Sequence, residues 1–252
     1  MRIPKPFVLI SAIALAASIH AQPGGGRMMS GPNFGGSLAK LFGDNPAFSA
    51  DIEVEAAMSS DQSMKMPGKM AFDSGKSRFE MNLSNAKGAQ MSPQAAQQMK
   101  AMGMDQTIMI SRPDTKTAYM IYPGLTAYAA MPIRDADASK PASAFKIQTT
   151  ELGKETVDGH PCVKNKAVIT DDEGKTHEAT VWNASDLNKF PVKIETTDEG
   201  RTTTMLFKNV KTSKPDAALF EPPTDYKRYE SPQALMQQEI MKRMRNMQPG
   251  QQ

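Results

Sequence analysis

Of 252 residues, one is cysteine, one is tryptophan and three are histidine. Cys162 has no partner, so an intramolecular disulfide is excluded and stability must come from an apolar core. His20, His160 and His177 are too few for a multi-histidine metal site, and no H-E-x-x-H helix occurs. Charge of one sign is also lacking: 30 Lys and Arg stand against 27 Asp and Glu, a net +3 with no long basic tract, which excludes nucleic acid as a partner. G-x-S-x-G and G-x-G-x-x-G are absent. Gly75-Lys76-Ser77 fails as a phosphate loop because Met70 stands where the pattern needs glycine. No catalytic residue, metal ligand set or cofactor is therefore assigned, and the chain reads as a non-enzyme. No apolar run reaches the roughly 20 residues that span a bilayer, so no integral membrane span is expected.

The longest apolar run, Phe7 to Ile19, follows the basic residues Arg2 and Lys5, and Ser18-Ile19-His20-Ala21 before Gln22 offers a cleavage site. That is the layout of a secretory signal over residues 1–21, and it implies a periplasmic or secreted protein with a mature charge near +1. Residues 22–36 are Gly-rich and aperiodic, a flexible leader. A single β domain is expected over 37–246, with a C-terminal helix at 231–246 and a disordered tail at 247–252.

What is abundant is methionine, 20 residues in all. Met64, Met66, Met70 and Phe72 share one parity while Lys65, Lys69 and Asp73 take the other, which is the period of a strand with one buried face. Phe79 and Met81 repeat the pattern after the turn Asp73-Ser74-Gly75-Lys76. Further runs at 48–58, 107–111, 117–122, 125–131, 145–152, 162–170, 176–184, 190–197 and 202–210 bring the count to ten or eleven strands, separated by turns such as Val157-Asp158-Gly159. A sheet of that size curls, splits or closes. The polar stretch Arg134 to Ser143 reads as a loop inside it. Ser92-Pro93-Gln94-Ala95 and Ser231-Pro232-Gln233-Ala234 repeat one helix-start tetrapeptide, with serine as N-cap and proline at the first helical position. The second helix carries the stripe Met236, Ile240, Met244, Met247.

Methionine is unbranched and polarisable, and it suits either ordinary core filling or a surface that repacks around variable ligands. Met64, Met66, Met70, Phe72, Phe79, Met81, Met99, Met102, Met205 and Phe207 are the candidate lining of an apolar ligand cavity, able to take an acyl chain by contact alone. A second reading is an envelope structural or interaction protein, with an envelope protein as partner, whose cavity its own side chains fill. A third is a methionine-rich Cu(I) protein, for which Met64-x-Met66 and Met102-x-Met104 supply thioethers. His160-Pro161-Cys162 places an imidazole beside a thiol, as a nucleophile requires, but it leads straight into a strand and fits a packed strand-entry cysteine.

Several segments together resemble the LolA-like superfamily of exported lipoprotein and lipid carriers, and among them an uncharacterised branch known only as a domain of unknown function. They are Met66-Pro-Gly-Lys-Met-Ala-Phe-Asp-x-Gly-Lys-x-Arg78-Phe79-Glu80, Ile110-x-Arg112-Pro113-Asp114 and Tyr119-x-x-Tyr122-Pro123. Leu152-Gly-x-Glu-x-Val-Asp-Gly-His-Pro-Cys162 follows, with Val181-Trp182 and Asp186-Leu187-x-x-Phe190-Pro191-Val192-Lys193-Ile194-Glu195. Phe207-x-Asn-Val210 and Leu219-Phe220-x-Pro-Pro-x-x-Tyr226 close the series. The resemblance implies a mainly β, half-open antiparallel barrel with helices in its mouth, a space in which the carriers of that superfamily hold acyl chains.

Overall fold

The computed structural model describes residues 39–59, 62–88, 93–133, 142–171, 173–198 and 200–247, all within one compact unit spanning 31–252. The expected signal (1–21), leader (22–36), most of the 134–143 loop and residues 248–252 lie outside the described residues. So does Ser92, the expected first N-cap.

Alternation builds the strands. In β2 (Gln62–Asp73), Met64, Met66, Met70 and Phe72 are buried while Lys65 and Lys69 are exposed. β1 (Ala47–Ser59) and β3 (Lys76–Asn82) flank it. β4 (Gln106–Arg112), β5 (Thr117–Tyr122) and β6 (Ala127–Pro132) extend the sheet on one side. β11 (Arg201–Lys211), β10 (Pro191–Asp198), β9 (Thr176–Ala184), β8 (His160–Thr170) and β7 (Lys146–Val157) extend it on the other. All pair antiparallel except β12 (Lys227–Tyr229), which adds parallel to β6 and completes the order β12-β6-β5-β4-β3-β2-β1-β11-β10-β9-β8-β7. The result is one large, mostly antiparallel sheet that does not close. The twelfth strand exceeds the expected count; three residues cannot display a period. Ser74-Gly75 and Asp158-Gly159 join β2 to β3 and β7 to β8 with both central residues at positive φ, the turn that matches the twist of a hairpin.

Register defines an inner face. One row runs Ala50–Met70–Phe79–Met109–Met120–Ala129 from β1 to β6. Another runs Met66–Val54–Met205–Ile194–Val181–Asn165 from β2 to β8. On this face the 3-10 turn Lys40–Phe42 inserts Phe42 among Phe48, Phe72, Phe190 and Phe207, with ring centroids 4.6, 5.3, 5.9 and 5.8 Å away. The outer face has its own smaller core, where Phe220, from the 3-10 turn Ala217–Phe220, packs with Ala71, Ile108, Ile110 and Ile121.

One helix packs beside the 3-10 turn Leu83–Asn85 and the other on β6 and β12. α1 spans Pro93–Ala101 and α2 spans Pro232–Met247. The Ser231 hydroxyl accepts the Ala234 N–H at 3.1 Å, so the second tetrapeptide starts its helix as expected. The positions α2 buries are Leu235 and Glu239, with Met236 and Ile240 half-buried beside them. Leu235 packs on Tyr122, Leu125, Ala127, Ala129 and Tyr229. The inward stripe is thus turned one residue from the apolar one, because the Glu239 carboxylate is engaged from inside. It accepts the Tyr229 hydroxyl and faces Lys227 at 3.6 Å and Lys242 at 3.8 Å.

Candidate functional site

Where β7, β8 and β9 lie side by side, the inner face is not filled. Ile147 and Thr149 of β7, Val163, Asn165 and Ala167 of β8, and Val181 and Asn183 of β9 form the floor of a cleft of about 500 Å³. Its walls are the turn from Lys40 to Asn45 and the turn from Ser185 to Lys189. A volume of this size is that of a small-molecule site.

The walls are fixed by amides. The Asn45 side-chain N–H donates to the carbonyl of Phe42 at 3.0 Å and to that of Asn188 at 3.3 Å, tying the N-terminal turn to the 185–189 turn across 143 residues of sequence. Asn165 donates to the Asn183 side-chain oxygen at 3.0 Å, and Asn183 donates to the Lys189 carbonyl at 2.9 Å. The 185–189 turn is held by Ser185 N–H to the Pro161 carbonyl (2.8 Å) and Phe190 N–H to the Leu187 carbonyl (2.8 Å). Asn188 and Lys189 both sit at positive φ, 49° and 56°, a conformation Asn tolerates better than most residues.

The neighbouring His160-Pro161-Cys162 segment is not a nucleophile pair. Nδ1 of His160 meets an Asp186 carboxylate oxygen at 2.8 Å, and that contact holds the Asp186 carboxyl below its usual range. Cys162 is buried, its thiol donates to the His160 carbonyl at 3.3 Å, and burial pushes its pKa up. A thiol kept neutral and covered is a packing residue. Trp182, buried one position along from Val181, donates its indole N–H to Glu155 and carries Lys193 and Lys164 over its ring at 4.0 and 4.9 Å.

The ten candidate lining residues divide. Met64, Met66, Met70, Phe72, Phe79, Met81, Met205 and Phe207 are 1–8% exposed and belong to one contiguous core with the Phe42 and Phe48 rings. Met64 and Met66, the thioether pair, are packed within it. Met99 and Met102 lie apart, half-buried in α1 and just after it. None of the ten lines the β7–β9 cleft. Its lining residues escaped sequence reasoning because asparagine, threonine, alanine and valine at strand parity look like an ordinary half-buried face. The one available signal was the pair Asn165 and Asn183, polar on the parity that should be buried.

Among solved structures, similarity is found to a LolA superfamily protein from Nitrosomonas europaea, at 9% identity and a TM-score of 0.36, over 74% of this chain and 97% of that one. Lipoprotein LppX of Mycobacterium tuberculosis is similar at 13% identity and 0.38 over 75% and 94%, and LprF of Mycobacterium bovis at 15% and 0.38 over 73% and 94%. No curated protein matches the sequence. A family model matches residues 53–190, more than half of the chain and the whole floor of the cleft, so the protein belongs to the family described as Domain of unknown function (DUF4412).

Proposed function

We propose that this chain is an exported, non-enzymatic binding protein that holds the alkyl chain of an amphiphile in the β7–β9 cleft. The observation that carries the reading is the cleft itself, an unfilled hollow floored by Ile147, Val163, Ala167 and Val181 on a sheet face that is elsewhere closely packed. The LolA-like resemblance supports the same ligand class, and the basic and apolar segment before residue 22 supports export. Twelve methylenes moved from water are worth about 10 kcal/mol. An association cost of at least about 4 kcal/mol leaves at most about 6 kcal/mol, a Kd of tens of micromolar at best.

Lipids extracted from gently purified protein and identified by mass spectrometry test the reading, together with titration of a fluorescent fatty acid. Val163→Trp, which fills the floor, is expected to abolish binding while the thermal midpoint holds. Protein that carries no lipid and ignores the fluorescent fatty acid overturns it. The packed methionine interior favours a second reading, an envelope interaction protein filled by its own side chains, and under it Val163→Trp changes no ligand property.

A further inference from the structure

The cleft is not uniform along its length. At one end, Asn183, with Val163 across from it, stands beside Ser185, Asn188 and Lys189. Asn165 and Val181 face each other in the middle, and Ala167, Thr149 and then Ile147 lead toward the other end, on β8 and on β7, the end strand of the sheet among the described residues. Polar groups thus gather where the 40–45 and 185–189 turns are bridged, by Asn45 to the Asn188 carbonyl at 3.3 Å and by Asn188 to the Asn45 side-chain oxygen at 3.5 Å. Two lysines line the cleft, Lys40 on one wall and Lys189 on the other, and among the described residues neither has a carboxylate within ion-pairing distance. Asp44, exposed on the first wall, is the one acid among the described lining residues.

We propose that the cleft binds a long-chain carboxylate in one orientation, headgroup at the Asn183–Lys189 end and tail toward Ile147; this rests on the alkyl-chain reading above and adds to it the head chemistry and the polarity. A carboxylate accepts charge-assisted hydrogen bonds from ammonium and amide N–H groups, which a neutral alcohol of the same length receives more weakly. The hydrocarbon tail in turn matches the apolar half of the floor.

The test uses the whole protein and displacement of anthroyloxy-labelled stearate by dodecanoate, by dodecan-1-ol and by acetate. Dodecanoate is expected to displace the probe at about tenfold lower concentration than dodecan-1-ol, and acetate to displace nothing. In the double variant Lys40→Gln, Lys189→Asn, the second chosen because Asn tolerates positive φ, the carboxylate-to-alcohol ratio falls to near one. Dodecanoate with a photoreactive diazirine at its tail end crosslinks to β7 residues 146–149 and to 167–169 of β8. A ratio that the double variant leaves intact, or tail crosslinks confined to 183–189, overturns the orientation while the alkyl-chain reading stands. Acetate competing as well as dodecanoate overturns it in favour of a bare anion site. If neither amphiphile displaces the probe, the underlying reading fails and this inference with it.

Discussion

Phe42→Ala removes the one ring that pins the Lys40–Asn45 wall to the sheet. Phe42 is 1% exposed and touches four other rings. Truncating a buried phenylalanine costs about 3–5 kcal/mol through lost transfer energy and the cavity left behind. Here one side of the cavity belongs to a three-residue turn that can lift, so the low end applies, about 3 kcal/mol. Urea unfolding should show that loss with an unchanged slope. Hydrogen exchange should show more: the amides of Gly43 and Asn45, bonded to the Lys40 and Phe42 carbonyls at 3.3 and 3.1 Å, lose protection beyond the global change. Phe220→Ala is the control, equally buried but on the opposite face. It should cost a comparable amount and leave those two amides tracking global stability. Amphiphile binding should fall with the first variant and not with the second, since only the first loses a wall of the cleft. A Phe42→Ala loss below about 1 kcal/mol, or equal deprotection of Gly43 and Asn45 in both variants, refutes the account.

Gly124→Ala should loosen the helical end of the molecule. A Cβ there would lie 2.6 Å from the Gly103 Cα, all backbone, where Arg243 of α2 donates to the Ala101 and Gly124 carbonyls. We expect a loss of about 1–3 kcal/mol and faster exchange in the last turn of α1; unchanged exchange there counts against this joint. Glu239 is held below the ordinary glutamate value of 4.5 by the Tyr229 hydroxyl, against burial and with help from Lys242 and Lys227. A depressed folded pKa contributes stability that is complete above about pH 4.5 and lost as pH falls through the folded value. Glu239→Gln should therefore flatten the acid limb of thermal stability below pH 4.5, and an unaltered limb would show that the group is not coupled to folding. Cys162 should resist a disulfide thiol reagent at pH 8 in the native protein and react once in denaturant; fast native labelling would contradict its burial.

Much of the sheet was legible because its chemistry is local. The alternation of Met64, Met66 and Met70 with Lys65 and Lys69 announces a strand whichever residues face it, and the Asp-Gly and Ser-Gly turns announce hairpins. The family rhythm then supplied the open-barrel outline. α2 was found but rotated, because Glu239 breaks an apolar stripe and its compensation by Tyr229 and Lys227 is tertiary. The cleft was not legible at all. Its walls come from residues 40–45 and 185–189, and whether two turns meet over a floor depends on side-chain volumes summed across strands, which no window of sequence contains.

Those volumes explain why a single face is solid in one half and hollow in the other. Along β1–β3, β10 and β11 the inner positions carry Phe48, Ile52, Val54, Met66, Met70, Phe72, Phe79, Ile194, Met205 and Phe207. Long unbranched thioethers fill the gaps between rings, so the interior reaches close packing there without a covering layer of helices. Along β7–β9 the same positions carry Ile147, Thr149, Val163, Asn165, Ala167, Ala179, Val181 and Asn183, with no aromatic ring or methionine among them. The Lys40–Asn45 turn is anchored by Phe42 among the large residues and walls the cleft beside the small ones. The hollow is the step between large and small residues on one continuous sheet. Enlarging the small side, as Val163→Trp does, should therefore close it, whereas trimming the methionines should only weaken the core.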